Sequence, residues 1–317
     1  MRPGRHHRRR ALASLGLLAA IIAAAAWFVR RHRAEFAGLE IVHPHLLWPL
    51  LAVAPLNMTA IGLQLRYLVR PFGVRLAPRE WFGLSVVTAF YNMLTPFRGG
   101  MLAKAAYLHR RHELSLSGFL ALTAGVSIVN VCVAGVLGLA GLRLGGHGGQ
   151  ATAALTVFFA VTAAASLALM ALAPRFGAVE HPVLARLARV AHGWRVIRDD
   201  GAVLAMTALA GGLHHLLVAL ATSLSFALIG VRVDAGSCLV LASLTLLSVF
   251  VGITPAGLGV VEAVAVFGGV ALGITPAQSL AAALARRLVF SAVALALGPC
   301  FTFTLLRERP APTGNIP

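Results

Sequence analysis

The chain has 317 residues, of which 59% are hydrophobic and only 12% charged, and its formal net charge is +17. A soluble domain of this length cannot hide that much apolar surface, so the composition excludes one and indicates an all-α polytopic membrane protein. The basic residues lie mostly between apolar runs, which reads as topology signal and contact with anionic lipid heads, with no nucleic-acid partner.

Residues 1–10 form a basic tail, and the apolar run that follows to Val29 mimics a signal peptide. It has no clear small-residue cleavage site, so an uncleaved first span is expected. Full spans are expected near 11–29, 46–65, 118–142, 151–173, 202–229 and 277–306, all within one transmembrane domain at 11–306. Two broken segments lie among them. Residues 81–95 and 97–108 flank Pro96; as helices they are about 22 and 18 Å long, too short for roughly 30 Å of hydrocarbon, and read as a re-entrant pair. The second, 237–253 and 256–273 around Pro255, is nearly long enough to cross twice, and periodicity leaves two crossings or a re-entrant hairpin open. The connector 174–200 contains an amphipathic basic stretch at 183–200, expected as a helix on the inner leaflet or as a solvated link. The tail at 307–317 is short and proline-rich. Cys132, Cys238 and Cys300 fall in apolar segments and read as free thiols, not a disulfide or a metal cage.

The two breaks resemble each other. Asn92 to Gly100 (NMLTPFRGG) and Gly252 to Glu262 (GITPAGLGVVE) each carry a Thr-Pro pair followed by glycines. Thr95-Pro96 superposes on Thr254-Pro255, and Gly100 on Gly259. With both ends cytoplasmic, arginine and lysine favour the inside segments by about four to one, against a contrary cluster at Arg30, Arg31 and Arg33. The halves 46–142 and 202–306 then dip their hairpins from opposite faces, as inverted repeats do in transporters, although chance recurrence of Thr-Pro and glycine is the competing explanation.

Ionisable groups at membrane depth are few: Arg98, Lys104, Glu262, Arg286 and Arg287, with His214 and His215 less prominent. Glu262 needs a cation, and Arg286 or Arg287 is the nearest by chain order; the pair would serve either a substrate site or a lock between hairpin and span. Arg98, beside Gly99 and Gly100, reads as a phosphate site, since broken backbone frees N–H groups and a guanidinium offers a planar fork. The competing reading is an arginine that only obeys the positive-inside rule. Lys104 would lean toward the same anion or snorkel outward. Gly257, Gly259, Glu262 and Arg287 complete the candidate substrate site. Asn92, Thr95, Pro96, Thr254 and Pro255 shape the breaks, with the polar side chains expected to satisfy backbone. His214 and His215 read as packing histidines more than as a proton relay. No nucleophile elbow, P-loop, nucleotide fingerprint or carboxylate pair occurs, so no catalytic residue, cofactor or metal is assigned.

Gln64-Leu65-Arg66, Asn92, Pro96, Arg98, Gly100, Lys104-Ala105, Tyr107-Leu108, Pro255, Gly257-Leu258-Gly259, Glu262 and Arg287-Leu288 occur in an order and spacing that resemble the lysylphosphatidylglycerol synthase transmembrane-region family of flippase-like membrane proteins. The resemblance covers about Leu63 to Leu297 and implies a membrane domain that moves or handles lipid-linked substrates. Examples are aminoacylated phosphatidylglycerol, polyprenyl- or dolichyl-linked sugars and hopanoid-related lipids. It departs at Met101, where the family often has an acid, and at Val261, where it often has arginine. The synthase domain fused in some members is not in this sequence, so the chain is not expected to make lysylphosphatidylglycerol. The expectation is a bacterial inner-membrane translocase of anionic or phosphate-linked lipids. A scaffold for a lipid-modifying enzyme or glycosyltransferase partner is the alternative, and an enzyme acting within the leaflet is a third.

Overall fold

The computed structural model describes residues 30, 40–95, 99–146, 148–171, 182–248 and 257–307, and these are all helical apart from connections. Among the described residues ten α-helices follow in order: α1 Leu47–Leu68, α2 Pro78–Leu94, α3 Gly99–His112, α4 Leu116–Gly145, α5 Gln150–Ala171, α6 Pro182–Asp199, α7 Gly201–Leu228, α8 Ala235–Ser248, α9 Val260–Ala271 and α10 Pro276–Arg307. Among the described residues, five segments, built on α1, α4, α5, α7 and α10, are long and apolar enough to cross a membrane. They match the spans expected from 46–65 onward, while the expected span at 11–29 lies outside the described residues. The fold is that of an all-α polytopic membrane protein.

Local chemistry sets the starts of these helices. Ser115 Oγ accepts from the Gly118 N–H ahead of α4, and Asp200 Oδ1 accepts from the Val203 N–H ahead of α7. Asp234 does the same for Ser237 at α8, and Pro78 and Pro276 open α2 and α10. Each side chain or proline takes up an orphan position at a helix N-terminus.

The central pair is α1 against α7, and it is antiparallel. Leu50 and Val53 pack near Ala221, Asn57 meets His214, and Gln64 meets Thr207. A polar seam closes this contact. Gln64 Nε2 donates to Asn130 Oδ1 of α4 at 2.7 Å and to the Thr207 carbonyl at 3.2 Å. His214 Nδ1 and Asn57 Oδ1 lie 2.6 Å apart, and His215 Nε2 lies 2.9 Å from Ser243 Oγ of α8. Both histidines therefore tie helices together, as packing histidines do.

The two broken segments are both hairpins that leave by the face they entered. Val74 and Leu76 before α2, and Leu108 and Leu114 at the end of α3, share one cluster with Leu68, Val203 and Leu305. Val231 and Val233 before α8, and Leu272 and Ile274 after α9, share another with Phe226 and Ala282. The first mouth lies at the α7 N-terminus and α10 C-terminus. The second lies at the α7 C-terminus and α10 N-terminus, so the hairpins enter from opposite ends. Over their described residues, 14 and 12 in number, α8 and α9 are about 21 and 18 Å long. A re-entrant hairpin and a pair of crossings both return the 237–273 segment to the face it entered, and residues 249–256, which join its arms, lie outside the described residues.

Part of the packing is symmetric under exchange of the halves: α2 packs on α10 as α8 packs on α4, and α1 on α2 as α7 on α8, whereas α9 packs closely on α10 and its counterpart α3 barely touches α4. Because the equivalent helices α1 and α7 run antiparallel, the exchange inverts one half relative to the other. Close approach at these interfaces needs glycine. A Cβ at Gly236 would meet the Gly141 carbonyl and the Gly145 amide, which are backbone and cannot move aside. The helix α6 does form, but its second half is docked within the protein. Trp194 and Ile197 are buried beside Gly125, and Gly193 lies against Ala121. Of the two readings of 183–200, the helix forms, and Trp194 and Ile197 complete the core at the first hairpin mouth.

Candidate functional site between the broken hairpins

Both hairpins are gripped by a carboxylate in the first turn of one arm. Glu262, the third residue of α9, accepts from the Gly259 N–H through Oε2 at 2.8 Å. Its other oxygen is ion-paired with Arg287 Nε of α10. Arg287 also donates to the Gly257 carbonyl at 3.4 Å. Gly257 and Gly259 have φ of +68° and +82°, a left-handed backbone that places carbonyl and amide for these two contacts. Of the two arginines offered by chain order, Arg287 is the partner. Arg286, one residue earlier, makes no hydrogen bond or ion pair among the described residues.

The first hairpin is held at its mouth. Glu80, the third residue of α2 and 4% exposed, accepts from the Ala77 N–H at 2.8 Å. It also accepts from Tyr107 Oη at 2.7 Å and Arg111 Nε at 2.8 Å, and lies 3.0 Å from His112 Nε2. Burial pushes the Glu80 carboxyl up, but the bonds from His112, Ala77, Tyr107 and Arg111 together outweigh it and hold the group at about 2. Its folded pKa is therefore below its unfolded one. The stabilisation is complete above about pH 4.5 and is lost as pH falls through about 2, amounting to about 3 kcal/mol. Thermal melts of purified protein should show this acid loss, and Glu80→Gln should lower the melting point at pH 7 while flattening its acid dependence. Equal acid dependence in both would exclude Glu80 as its source. Sequence reasoning missed this residue because it sits one position before the apolar run that begins at Trp81. The available signal was Pro78 followed by Glu80, an acidic helix start.

The tip of the first hairpin uses its polar residues internally. Asn92 Oδ1 accepts from the Gly100 N–H at 3.0 Å, and Thr95 Oγ1 donates to the Tyr91 carbonyl. A Cβ on Gly100 would strike the Thr88 carbonyl, and one on Gly99 would strike the Thr95 side chain. These two glycines let α3 press against α2, and in this conformation the Gly100 N–H is already engaged. Lys104 is half-buried on α3 and makes no hydrogen bond or ion pair among the described residues. Pro96, Arg98, Thr254 and Pro255 lie outside the described residues.

The ends of the two hairpins border one open cavity of about 230 Å³. Ala89 and Met93 of α2 approach it ahead of the first break. Thr245 of α8 and Val261 of α9 flank the second. Arg286, Arg287 and Ser291 of α10 supply the polar wall. The structure thus brings together Arg286, Arg287 and the second break, with the arm that leads into the first. Val261 is the position at which the resemblance had anticipated arginine, so α10 supplies the positive charge of this wall. A larger cavity of about 370 Å³ lies at the first mouth between α2, α3 and α10, apolar inside and bordered by Tyr107, Arg110 and Arg111. Among the described residues, no three His, Cys, Asp or Glu side chains gather as metal ligands would.

Spanning helices packed with two opposed helical hairpins define an all-α polytopic membrane protein. The family model described as the lysylphosphatidylglycerol synthase transmembrane region matches residues 10–298, and the chain belongs to that family. A search of curated proteins and a search of solved structures each found no match. The family assignment links the chain to membrane lipid chemistry.

Proposed function

We propose that this protein translocates a phosphate-bearing lipid or lipid-linked substrate, with the headgroup held in the cavity between the hairpins. The observation that carries this reading is the pairing pattern on α10. Glu262 is ion-paired with Arg287, whereas Arg286 borders the same cavity within electrostatic reach of Glu262 but with no hydrogen bond or ion pair of its own among the described residues. A cation left unpaired at membrane depth is costly unless water or an anion compensates it. Drug-sized ligands occupy sites of about 300–1,000 Å³, so a 230 Å³ cavity suits a headgroup with its tails left in the bilayer. Opposed broken hairpins meeting near the centre are the arrangement from which alternating access is built. Arg98 and Lys104 are proposed to assist on the first hairpin, and Gly257, Gly259 and Glu262 to form the second wall.

The arginine-rich face that carries Arg66, Arg110 and Arg195 is proposed to be cytoplasmic, in a bacterial inner membrane, with both termini on that side. A single cysteine at position 190 should resist labelling from outside intact cells; labelling there would reverse the orientation. Function is tested by comparing the lipids of the two leaflets with and without the gene. Translocation requires that one phosphate-bearing lipid change its leaflet distribution while its total stays constant. Loss of a modified lipid from both leaflets would instead indicate a scaffold for a lipid-modifying or glycosyl-transfer enzyme.

A further inference from the structure

A second basic site lies away from the central cavity. Arg66, Arg70 and Arg75 line a concavity of about 530 Å³ with Gly73 and Leu76, where α1 turns toward the first hairpin. None of the three makes a hydrogen bond or ion pair among the described residues. The guanidinium carbons of Arg66 and Arg70 lie 6.0 and 4.8 Å from the centre of the Tyr67 ring. An arginine present only as a topology signal needs no fixed position, yet these three are held by a rigid frame. Arg66 and Arg70 are four residues apart, across the end of α1 and the 3₁₀ turn Arg70–Phe72. The chain then reverses at Gly73, where φ is +76°, with the Gly73 N–H donating to the Arg70 carbonyl at 2.9 Å and Val74 N–H to Val69 at 3.3 Å. Val74 and Leu76 are buried on either side of Arg75, so Arg75 is anchored from both neighbours. Three cations directed to one concavity repel each other unless an anion joins them.

We propose that Arg66, Arg70 and Arg75 bind a phosphate-bearing anion with more than one negative charge. Planar guanidinium groups match phosphate oxygens two at a time, and three of them exceed what a single monoanionic head can satisfy. Basic pockets at the membrane surface bind headgroups of this class. The proposal is independent of translocation, since it requires binding at the surface and no passage.

Thermal unfolding of the full chain in detergent tests it, with cardiolipin, phosphatidylglycerol, phosphatidylcholine and inorganic pyrophosphate as separate probes. Cardiolipin should raise the melting point more than phosphatidylglycerol does, and phosphatidylcholine should not raise it. A matching response to pyrophosphate assigns the site to phosphate from any source; a response to cardiolipin alone assigns it to a lipid head. The apparent affinity should fall about tenfold or more in the triple variant Arg66→Gln, Arg70→Gln, Arg75→Gln, as expected for lost charge-assisted bonds. Arg75→Gln alone, on an exposed loop, should fall in the same direction and guards against misfolding of the triple. An absence of stabilisation by both cardiolipin and pyrophosphate overturns the proposal. So does cardiolipin stabilisation that survives unchanged in the Arg75→Gln and triple variants.

Discussion

Glu262→Gln is expected to destabilise the protein by roughly 3 kcal/mol, the cost of removing one partner of a largely desolvated ion pair. Arg287 and Glu262 are 18% and 10% exposed at their side chains, so water from the cavity replaces the lost carboxylate only in part. The substitution also weakens the bond at the Gly259 N–H, because a carboxylate accepts more strongly than an amide. The second hairpin should loosen where α9 begins, since the same arginine reaches the Gly257 carbonyl. Neutralising both partners, Glu262→Gln with Arg287→Gln, should recover part of the loss, because the desolvated charge is then gone as well. The check is chemical or thermal unfolding of the two single variants and the double. Singles and double equally stable to wild type would mean that the pair contributes nothing to the fold.

Arg286→Gln is expected to behave in the opposite way. Removing a cation that has no ion-pair partner among the described residues relieves a desolvation cost, so the fold should survive or gain stability. Transport should nevertheless fall about tenfold or more, the effect of losing a charge-assisted bond to phosphate. Arg286→Lys should retain an intermediate rate, since an ammonium keeps the charge without the fork. Unchanged lipid flux in both variants, measured at matched protein levels, would remove Arg286 from the site.

The spans were legible because an apolar run of 18 or more residues admits few other structures. The second hairpin was not, because the 237–273 run is long enough for two crossings. That its two ends, Val231 and Ile274, meet at one mouth is a tertiary fact that neither its length nor its periodicity shows. Chain order narrowed the partner of Glu262 to two arginines but could not choose. Adjacent residues on a helix point about 100° apart, so the choice depends on how α10 is rotated. Gly99 and Gly100 were legible as special positions, yet the sequence suggested room for a ligand where the Thr88 carbonyl stands. The Glu80 cluster draws on residues about thirty positions apart, which no local pattern links.

The central claim is that the cavity between the hairpins passes a lipid headgroup, and flux through purified protein tests it most directly. The chain is reconstituted alone in proteoliposomes containing a labelled anionic phospholipid, and the label is quenched from one side over time. The account requires flux above that of protein-free vesicles with no added partner, slowed strongly by Arg286→Gln while the melting point is maintained. Flux no faster than in protein-free vesicles, from protein that melts cooperatively, would contradict it.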